Sequence, residues 1–329
     1  ENGCVVLDNG EKVQYDKLLV ATGSKPFVPP MKDIDKVEDK FTFMTWDSAK
    51  AIREKVTAGT KVLIIGAGLI GLKCAEALHH LNADITVVDL ADRILPSILD
   101  VRAGEIMQKH IEDKGTKFIL GTSVEQFSKN SAKLTNGETV DFDILVIAVG
   151  VRPNTELVSD AGGKVEKGII TDLHQQTTID NVYAAGDCTV SHDCSSNTDR
   201  ILALLPNAFM QGEVAGKNMA GEETLYLNAI PMNAIGFYGL HIITAGSYDG
   251  DEDITEDADK EIYKKLVFKD GLLKGFILMG DVARAGIYTS MIKEQIPLTE
   301  VDLDLLRDKP QMMMFGKARR EEKLAGKKH

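Results

Sequence analysis

The sequence lacks paired cysteines. Its four, Cys4, Cys74, Cys188 and Cys194, include no CxxC pair, which removes the spacing of a zinc site or a thioredoxin-like dithiol. Cys188 and Cys194 are close in sequence, and packed or solvated thiols are expected there rather than a bridge. Such usage suits a reducing cytoplasm. No apolar run approaches the ~20 residues of a membrane span. The best, residues 62–72, holds three glycines and is followed by Lys73. No secretory-signal pattern is visible. Positive charge is also short: 38 Lys and Arg face 50 Asp and Glu, for a net charge of −12. That sign argues against nucleic acid or an anionic membrane as the main partner. What remains is 329 residues with 43% apolar and 27% charged content, ordinary for a globular chain of two or three domains.

The chain repeats itself. Residues 7–26 read LDNGEKVQYDKLLVATGSKP and residues 134–153 read LTNGETVDFDILVIAVGVRP, with ten of twenty positions identical at a constant offset of 127. Each copy holds an Asn-Gly turn flanked by alternating residues, the signal of a hairpin. An apolar run follows, 18–21 or 144–149, suited to a strand buried on both faces. Each run ends on a glycine, Gly23 or Gly150, where a backbone must pass close to something. The second copy closes a unit that opens at Lys61. The matching opening strand of the first copy would fall 127 residues earlier, outside a chain that starts at Glu1 without methionine. The expectation is a fragment or processed chain lacking roughly the first 65 to 75 residues of a protein with two nucleotide sites.

Between the copies, KVLII at 61–65 leads into Gly66-Ala67-Gly68-Leu69-Ile70-Gly71. Residues 69–81 then set Ile70, Cys74, Ala77, Leu78 and Leu81 on one helical stripe. DITVVD at 84–89 is the next strand. A lone GxGxxG is weak, but here a strand precedes it, a helix follows, and Asp89 stands 23 residues beyond Gly66. Gly66 allows the tight turn, Gly68 lets phosphates approach the backbone, and Gly71 lets helix and strand pack closely. The helix N-terminus offers free N–H groups and a positive dipole end to a pyrophosphate. Asp89 would bond a ribose 2′-hydroxyl and repel a 2′-phosphate, which favours NADH over NADPH. Arg93 is expected in a surface ion pair. Helices are expected at 45–56, capped by Thr45 or Asp47, and at 100–114, stopped by Gly115, with a strand at 117–120.

TIDNVYAAGD at 178–187 carries another strand, ending in Gly186-Asp187. With Ala21-Thr22-Gly23, the loop 66–71, Gly150-Val151-Arg152-Pro153-Asn154 and Ala185-Gly186-Asp187 in this order, the chain resembles the FAD-dependent pyridine nucleotide–disulfide oxidoreductases over almost its whole length. It looks most like the NADH:rubredoxin oxidoreductase and nitrite-reductase-like branch, whose small C-terminal domain is resembled by GFILMGDVARAGIYT at 275–289. The resemblance implies an α/β fold with two Rossmann-like nucleotide-binding domains, the first incomplete, and a small α+β C-terminal domain. The implied division is FAD-binding 1–40 and 151–227, NADH-binding 41–150, and a C-terminal interface domain 228–329. Thr22 and Gly23 would line the FAD cleft, and Gly186 and Asp187 would hold the ribityl and phosphate region. Gly150 would let the nicotinamide half of NADH pass. The helix starting at Leu205 and Pro206 would point its N-terminus at the flavin N1/O2 edge.

The residues alone leave alternatives open. Asp187 also fits a turn or helix cap, and the small face Ala208, Gly212, Ala215 and Gly216 also fits plain tight packing. Pro206 suits a first helical position and Gly221 a stop. Two residues beyond the third glycine, many relatives carry a glutamate near the flavin–nicotinamide contact; this chain has Lys73. Lys73 is a catalytic candidate beside the flavin, or a solvated side chain near Glu76 and His80. The redox-active cysteine of disulfide-reducing relatives follows the first GxGxxG, so none is assigned here.

From about residue 228 the pattern turns antiparallel, with a strand region at 234–246, a hairpin of 262–268 and 272–279 around Asp270-Gly271, and a helix at 282–295. The acidic stretch 249–261 fails as an EF-hand, with Ile254 in the glycine position and Lys260 in that of the closing glutamate. A solvated loop is expected, no metal site is expected, and the tail 317–329 is expected to fray. The functional expectation is a cytoplasmic homodimeric flavoprotein that passes hydride from NADH to FAD, then electrons to a rubredoxin-like carrier, dioxygen or a disulfide. The alternatives are an NAD(H)-binding fragment, in which FAD is weak or absent, and an NADH sensor without turnover.

Overall fold

The computed structural model describes residues 3–325. Five parallel strands form its central sheet in the order Lys40–Thr42, Ile144–Ile147, Lys61–Ile65, Asp84–Asp89, Lys117–Leu120. The strands are apolar without alternation because both faces are covered. Val62, Ile64, Val87 and Val146 face the helices Trp46–Lys55, Leu69–His79 and Val101–Glu112. Leu63, Ile65, Val88 and Leu145 face the other way, onto Phe127, Leu134 and Phe142 of a small antiparallel layer.

Local signals set the helix ends. Thr45 caps the first helix in a capping box with Ser48, accepting its N–H at 3.1 Å, so Thr45 rather than Asp47 is the cap. Asp100 caps Val101–Glu112 through the Ala103 N–H at 2.9 Å. The glycine-loop helix buries Leu72, Cys74, Ala75 and Leu78, whereas Ala77 is exposed and Ile70 half-buried. The expected stripe is therefore rotated, because this helix packs on the sheet and on a second layer beside it.

Both copies of the repeat form their Asn-Gly hairpins, Cys4–Val6 with Lys12–Gln14 and Ser131–Leu134 with Thr139–Asp141. The apolar runs that follow are shorter than expected, Leu18–Val20 and Ile144–Ile147. Leu18–Val20 pairs in parallel with Val182–Ala184. Where the two copies end, their chains cross as an antiparallel ribbon, Ser24–Pro26 against Val151–Pro153, paired Ser24 to Pro153, Lys25 to Arg152 and Pro26 to Val151. Under the 127-residue offset this pairing maps onto itself, so a local two-fold axis runs between Lys25 and Arg152.

The C-terminal sheet has five antiparallel strands in the order Met232–Phe237, Leu240–Gly246, Leu272–Met279, Ile262–Lys269, Asp251–Asp257. The strand region at 234–246 is thus two strands turning at Tyr238-Gly239, and the Asp270-Gly271 hairpin forms as expected. The helix behind it, Ala285–Lys293, is shorter than the 282–295 expected. The acidic stretch is a correction: Asp251–Asp257 is an edge strand, not a solvated loop. Three of its charges are paired from elsewhere, Glu252 by Lys265, Asp253 by Arg307 and Glu256 by Arg102, while Asp257 pairs with Lys260 inside the stretch. The tail is a second correction. Lys317–Ala325 is helical and tied back by Arg319 to Glu300 at 2.7 Å and Lys323 to Glu294 at 2.9 Å, while 326–329 lie outside the described residues. All four cysteines are free thiols, three of them buried, and burial pushes the Cys74 thiol up to about 12. Among the described residues no helix is long and apolar enough to cross a membrane.

Candidate functional site

The carboxyl ends of the central strands open on a cleft of about 670 Å³. Position follows from topology, since ligands of open parallel sheets bind outside the strand ends where the order reverses. Here the reversal falls between Lys61–Ile65 and Ile144–Ile147. Gly66 turns the chain with φ of 112°, and a Cβ there would overlap the Ala148 carbonyl. A Cβ on Gly71 would run into the Gly66 carbonyl oxygen, so helix and loop approach as only glycine allows. Gly68 caps the helix without a side-chain partner, and a Cβ there would meet nothing within 4 Å. The first-turn N–H groups of Leu69, Ile70 and Gly71 therefore have no intrahelical acceptor, and the cleft beside them has room for an anion.

Asp89 ends its strand at the cleft wall. Its carboxylate accepts the Ala67 N–H at 2.6 Å and the Ala91 N–H at 2.7 Å, which fixes both the glycine loop and the turn after the strand. Arg93 pairs with Asp92 at 3.1 Å, as a surface partner, while its Nε is buried without a hydrogen bond among the described residues. Of the residues singled out for NADH, the structure brings Gly66, Gly68, Leu69, Ile70, Asp89 and Gly150 to one cleft, with Gly71 beneath the loop. Phe27, the residue after the first copy, closes one side under the Arg152 guanidinium, 4.3 Å from the ring centre.

The residues singled out for FAD gather at the ends of Leu18–Val20 and Val182–Ala184. Thr22 donates to the Asn154 carbonyl at 2.7 Å, and the Asn154 amide donates back to the Thr22 carbonyl at 2.9 Å. Gly23 and Gly186 both take positive φ, 63° and 84°. Among the described residues Asp187 caps no helix, and its half-buried carboxylate accepts only the Ser24 hydroxyl, at 3.3 Å. An acceptor so lightly used fits a ligand hydroxyl, and a Cβ on Gly23 would meet nothing within 4 Å, so the residues present suit a flavin nucleotide. The helix Leu205–Met219 starts with Leu205 first and Pro206 second, a one-residue shift from expectation. Leu205 and Phe209 are 84% and 73% exposed on it.

Gln211 was not anticipated from the sequence. Buried on this helix, it accepts the Gly186 N–H at 2.7 Å and donates to Thr189 at 3.0 Å and to Ser191, so it holds the Gly186-Asp187 turn. A glutamine on a helix carries no signal of such a role in one sequence. Asn154 had one, its place in the GVRPN motif. Lys73 is half-buried where the glycine-loop helix meets the C-terminal sheet, outside the residues lining the cleft, and is bound to Glu76 at 2.6 Å and to the Gly236 carbonyl at 2.5 Å.

Residues 1–212 match the family described as pyridine nucleotide-disulphide oxidoreductase, and residues 231–296 match the rubredoxin NAD+ reductase C-terminal domain. The chain is 33% identical over 304 residues to the epsilon subunit of NADH-dependent phenylglyoxylate dehydrogenase from Aromatoleum evansii, covering 89% of this chain and 72% of that one. It is 32% identical over 303 residues to the assimilatory nitrate reductase electron transfer subunit of Bacillus subtilis, covering 88% of this chain but only 38% of that longer protein. In fold it resembles the covalent putidaredoxin reductase–putidaredoxin complex, with a TM-score of 0.85 at 22% identity over 94% of this chain and 76% of that one. The repeat, the two strand-end sites and a family match over most of its length agree: this chain belongs to the pyridine nucleotide-disulphide oxidoreductase family.

Proposed function

We propose that the protein oxidises NADH through FAD and delivers the electrons to a small protein carrier. When bound, the flavin supplies the chemistry, accepting hydride from the nicotinamide and releasing electrons onward. The chain's own residues bind and orient. The first-turn N–H groups after Gly68 hold the pyrophosphate, and Asp89 receives the adenosine ribose. The open backbone at Gly150 gives the nicotinamide half its path. Thr22, Gly23, Gly186 and Asp187 seat FAD at the facing strand ends, with Gln211 fixing the turn. The N-terminus of Leu205–Met219 directs its positive dipole end toward the flavin edge. The crossing ribbon 24–26 and 151–153 joins the two seats, so it sets their mutual distance.

The observation that carries this reading is the cleft shared by the glycine loop, Asp89 and Gly150. Titration with NADH, followed by nicotinamide fluorescence, is expected to saturate near one per chain and to favour NADH over NADPH. Absence of binding, or equal affinity for both coenzymes, would refute it. The carrier is preferred over dioxygen and disulfide for two reasons. The C-terminal domain matches one described for rubredoxin NAD+ reductase, and one relative is described as an electron transfer subunit. Reduction of rubredoxin by the FAD-loaded protein at a rate well above oxygen consumption is the expected result. The division 1–40 with 151–227, 41–150 and 228–329, the homodimer and the cytoplasmic location stand as parts of this proposal. Light scattering with and without NADH tests the dimer, and separates an enzyme from a sensor whose assembly responds to NADH.

A further inference from the structure

Position 73 faces acceptors. On one side is the Glu76 carboxylate, 2.6 Å from the lysine Nζ; on the other is the Gly236 carbonyl, 2.5 Å away; the Phe237 ring lies beneath at 5.0 Å. Only a donor satisfies this setting. A glutamate would place a third acceptor between two others. The second oxygen of Glu76 accepts the Tyr238 N–H at 2.6 Å, so lysine and glutamate together grip the entry side of the turn between the first two strands of the C-terminal sheet. Tyr238 has φ of 50° and Gly239 of 90°, as a two-residue hairpin turn requires, and a tyrosine in that place draws further support from its surroundings. Those surroundings are the nucleotide-binding unit. The Tyr238 ring meets His79 edge-on at 5.2 Å, its hydroxyl reaches Thr116 at 3.2 Å, and its carbonyl faces His110 at 3.2 Å.

The gripping helix is the one whose first turn forms the glycine loop. Leu69 lines the cleft and Lys73 follows one helical turn later. We propose that Lys73 is a positioning residue: through Glu76 it pins the Tyr238 turn to the glycine-loop helix and couples the seating of the C-terminal sheet to occupancy of the nucleotide loop. The coupling rests on the nucleotide reading given above. It is reciprocal, so ligand in the loop tightens the pin and loss of the pin loosens the ligand.

Hydrogen exchange of the whole chain, with and without NADH, reads the pin at one amide, the Tyr238 N–H. In the unmodified protein NADH is expected to slow exchange at residues 67–71 and at Tyr238 together. In K73M the Tyr238 amide exchanges faster without ligand, NADH no longer protects it, and NADH binds roughly fivefold more weakly, near the low end for coupling between distinct sites. K73R restores both behaviours; K73E, which adds an acceptor, is worse than K73M. E76Q, which keeps an acceptor for Tyr238 but loses the charge facing Lys73, falls between and serves if K73M does not fold. Unchanged protection of Tyr238 in K73M, or in E76Q in its place, alongside normal protection of 67–71 overturns the pin. Absence of protection at 67–71 in the unmodified chain overturns the nucleotide reading and the coupling with it.

Discussion

The strand Ile144–Ile147 is hydrogen-bonded along both edges and fully buried, whereas its repeat counterpart Leu18–Val20 is paired along one edge and buried only at Val20. Ten identical positions in twenty give the two runs the same hairpin, the same apolar strand and the same closing glycine. They do not give them the same surroundings. In the second copy the neighbour is Lys61–Ile65, whose far end is the glycine loop, and the cleft is built around that pair. In the first, among the described residues, no second glycine loop stands beside the strand, and the helix across from it leaves Leu205 and Phe209 exposed. A strand of this type is a half-made site, and its neighbour makes the other half.

Substitutions can break that contrast. The largest effect is expected at Gly71. A methyl group there meets the Gly66 backbone, which cannot yield as a side chain would. Gly71→Ala should cost about 3 kcal/mol, the upper range for overpacking, and weaken NADH binding by about a hundredfold. NADH titration with a thermal melt checks it; unchanged affinity would place the pyrophosphate elsewhere. Gln211→Leu attacks the strand end beside the first copy instead. It strips the Gly186 N–H of its acceptor and should destabilise the protein by about 1–3 kcal/mol without altering NADH affinity. A parallel loss of NADH binding would show that the two halves are not separable.

Asp89→Ala should weaken NADH binding by about tenfold, equivalent to ~1.4 kcal/mol, and NADPH by less. NADPH also loses something because the carboxylate orders the Ala67 and Ala91 amides whichever coenzyme binds. Comparing the two coenzymes separates ribose contact from loop order, and equal losses would leave only loop order. The smallest effect concerns pH. Burial alone would raise the Asp100 carboxyl, but the Ala103 N–H, the Tyr263 hydroxyl and Lys265 outweigh it and hold the carboxyl below its usual range. A carboxyl depressed on folding contributes stability above its unfolded value, near ~3.9, and loses it as pH falls through the folded value. Acid unfolding followed by tyrosine fluorescence should therefore be shallower in Asp100→Asn, because Asp100 joins the C-terminal sheet to the nucleotide unit.

Sequence was most legible where structure is local. Lys61–Ile65, Asp84–Asp89, Lys117–Leu120 and the Asn-Gly hairpins fall at their expected residues, because apolar runs and turn residues act on their own neighbours. The candidate site was legible for the same reason, since a glycine loop and the acid ending the next strand lie within one βαβ unit. The acidic stretch 249–261 misled because its countercharges come from Arg102, Lys265 and Arg307, across the fold or beyond the stretch itself. The tail misled likewise, its helix being held by Glu294 and Glu300.

By itself, then, the sequence determined a repeated strand-and-glycine unit, a dinucleotide loop and the order of elements around them. These depend on spacing within about 30 residues, where backbone geometry and side-chain period leave little choice. Tertiary structure alone decided that Lys73 meets a carbonyl 163 residues away, that Gln211 braces the Gly186 turn, and that the two copies cross as a self-matching ribbon. The physical reason is that partners of buried or half-buried polar groups are chosen by where the chain brings them, and one sequence carries no mark of that choice.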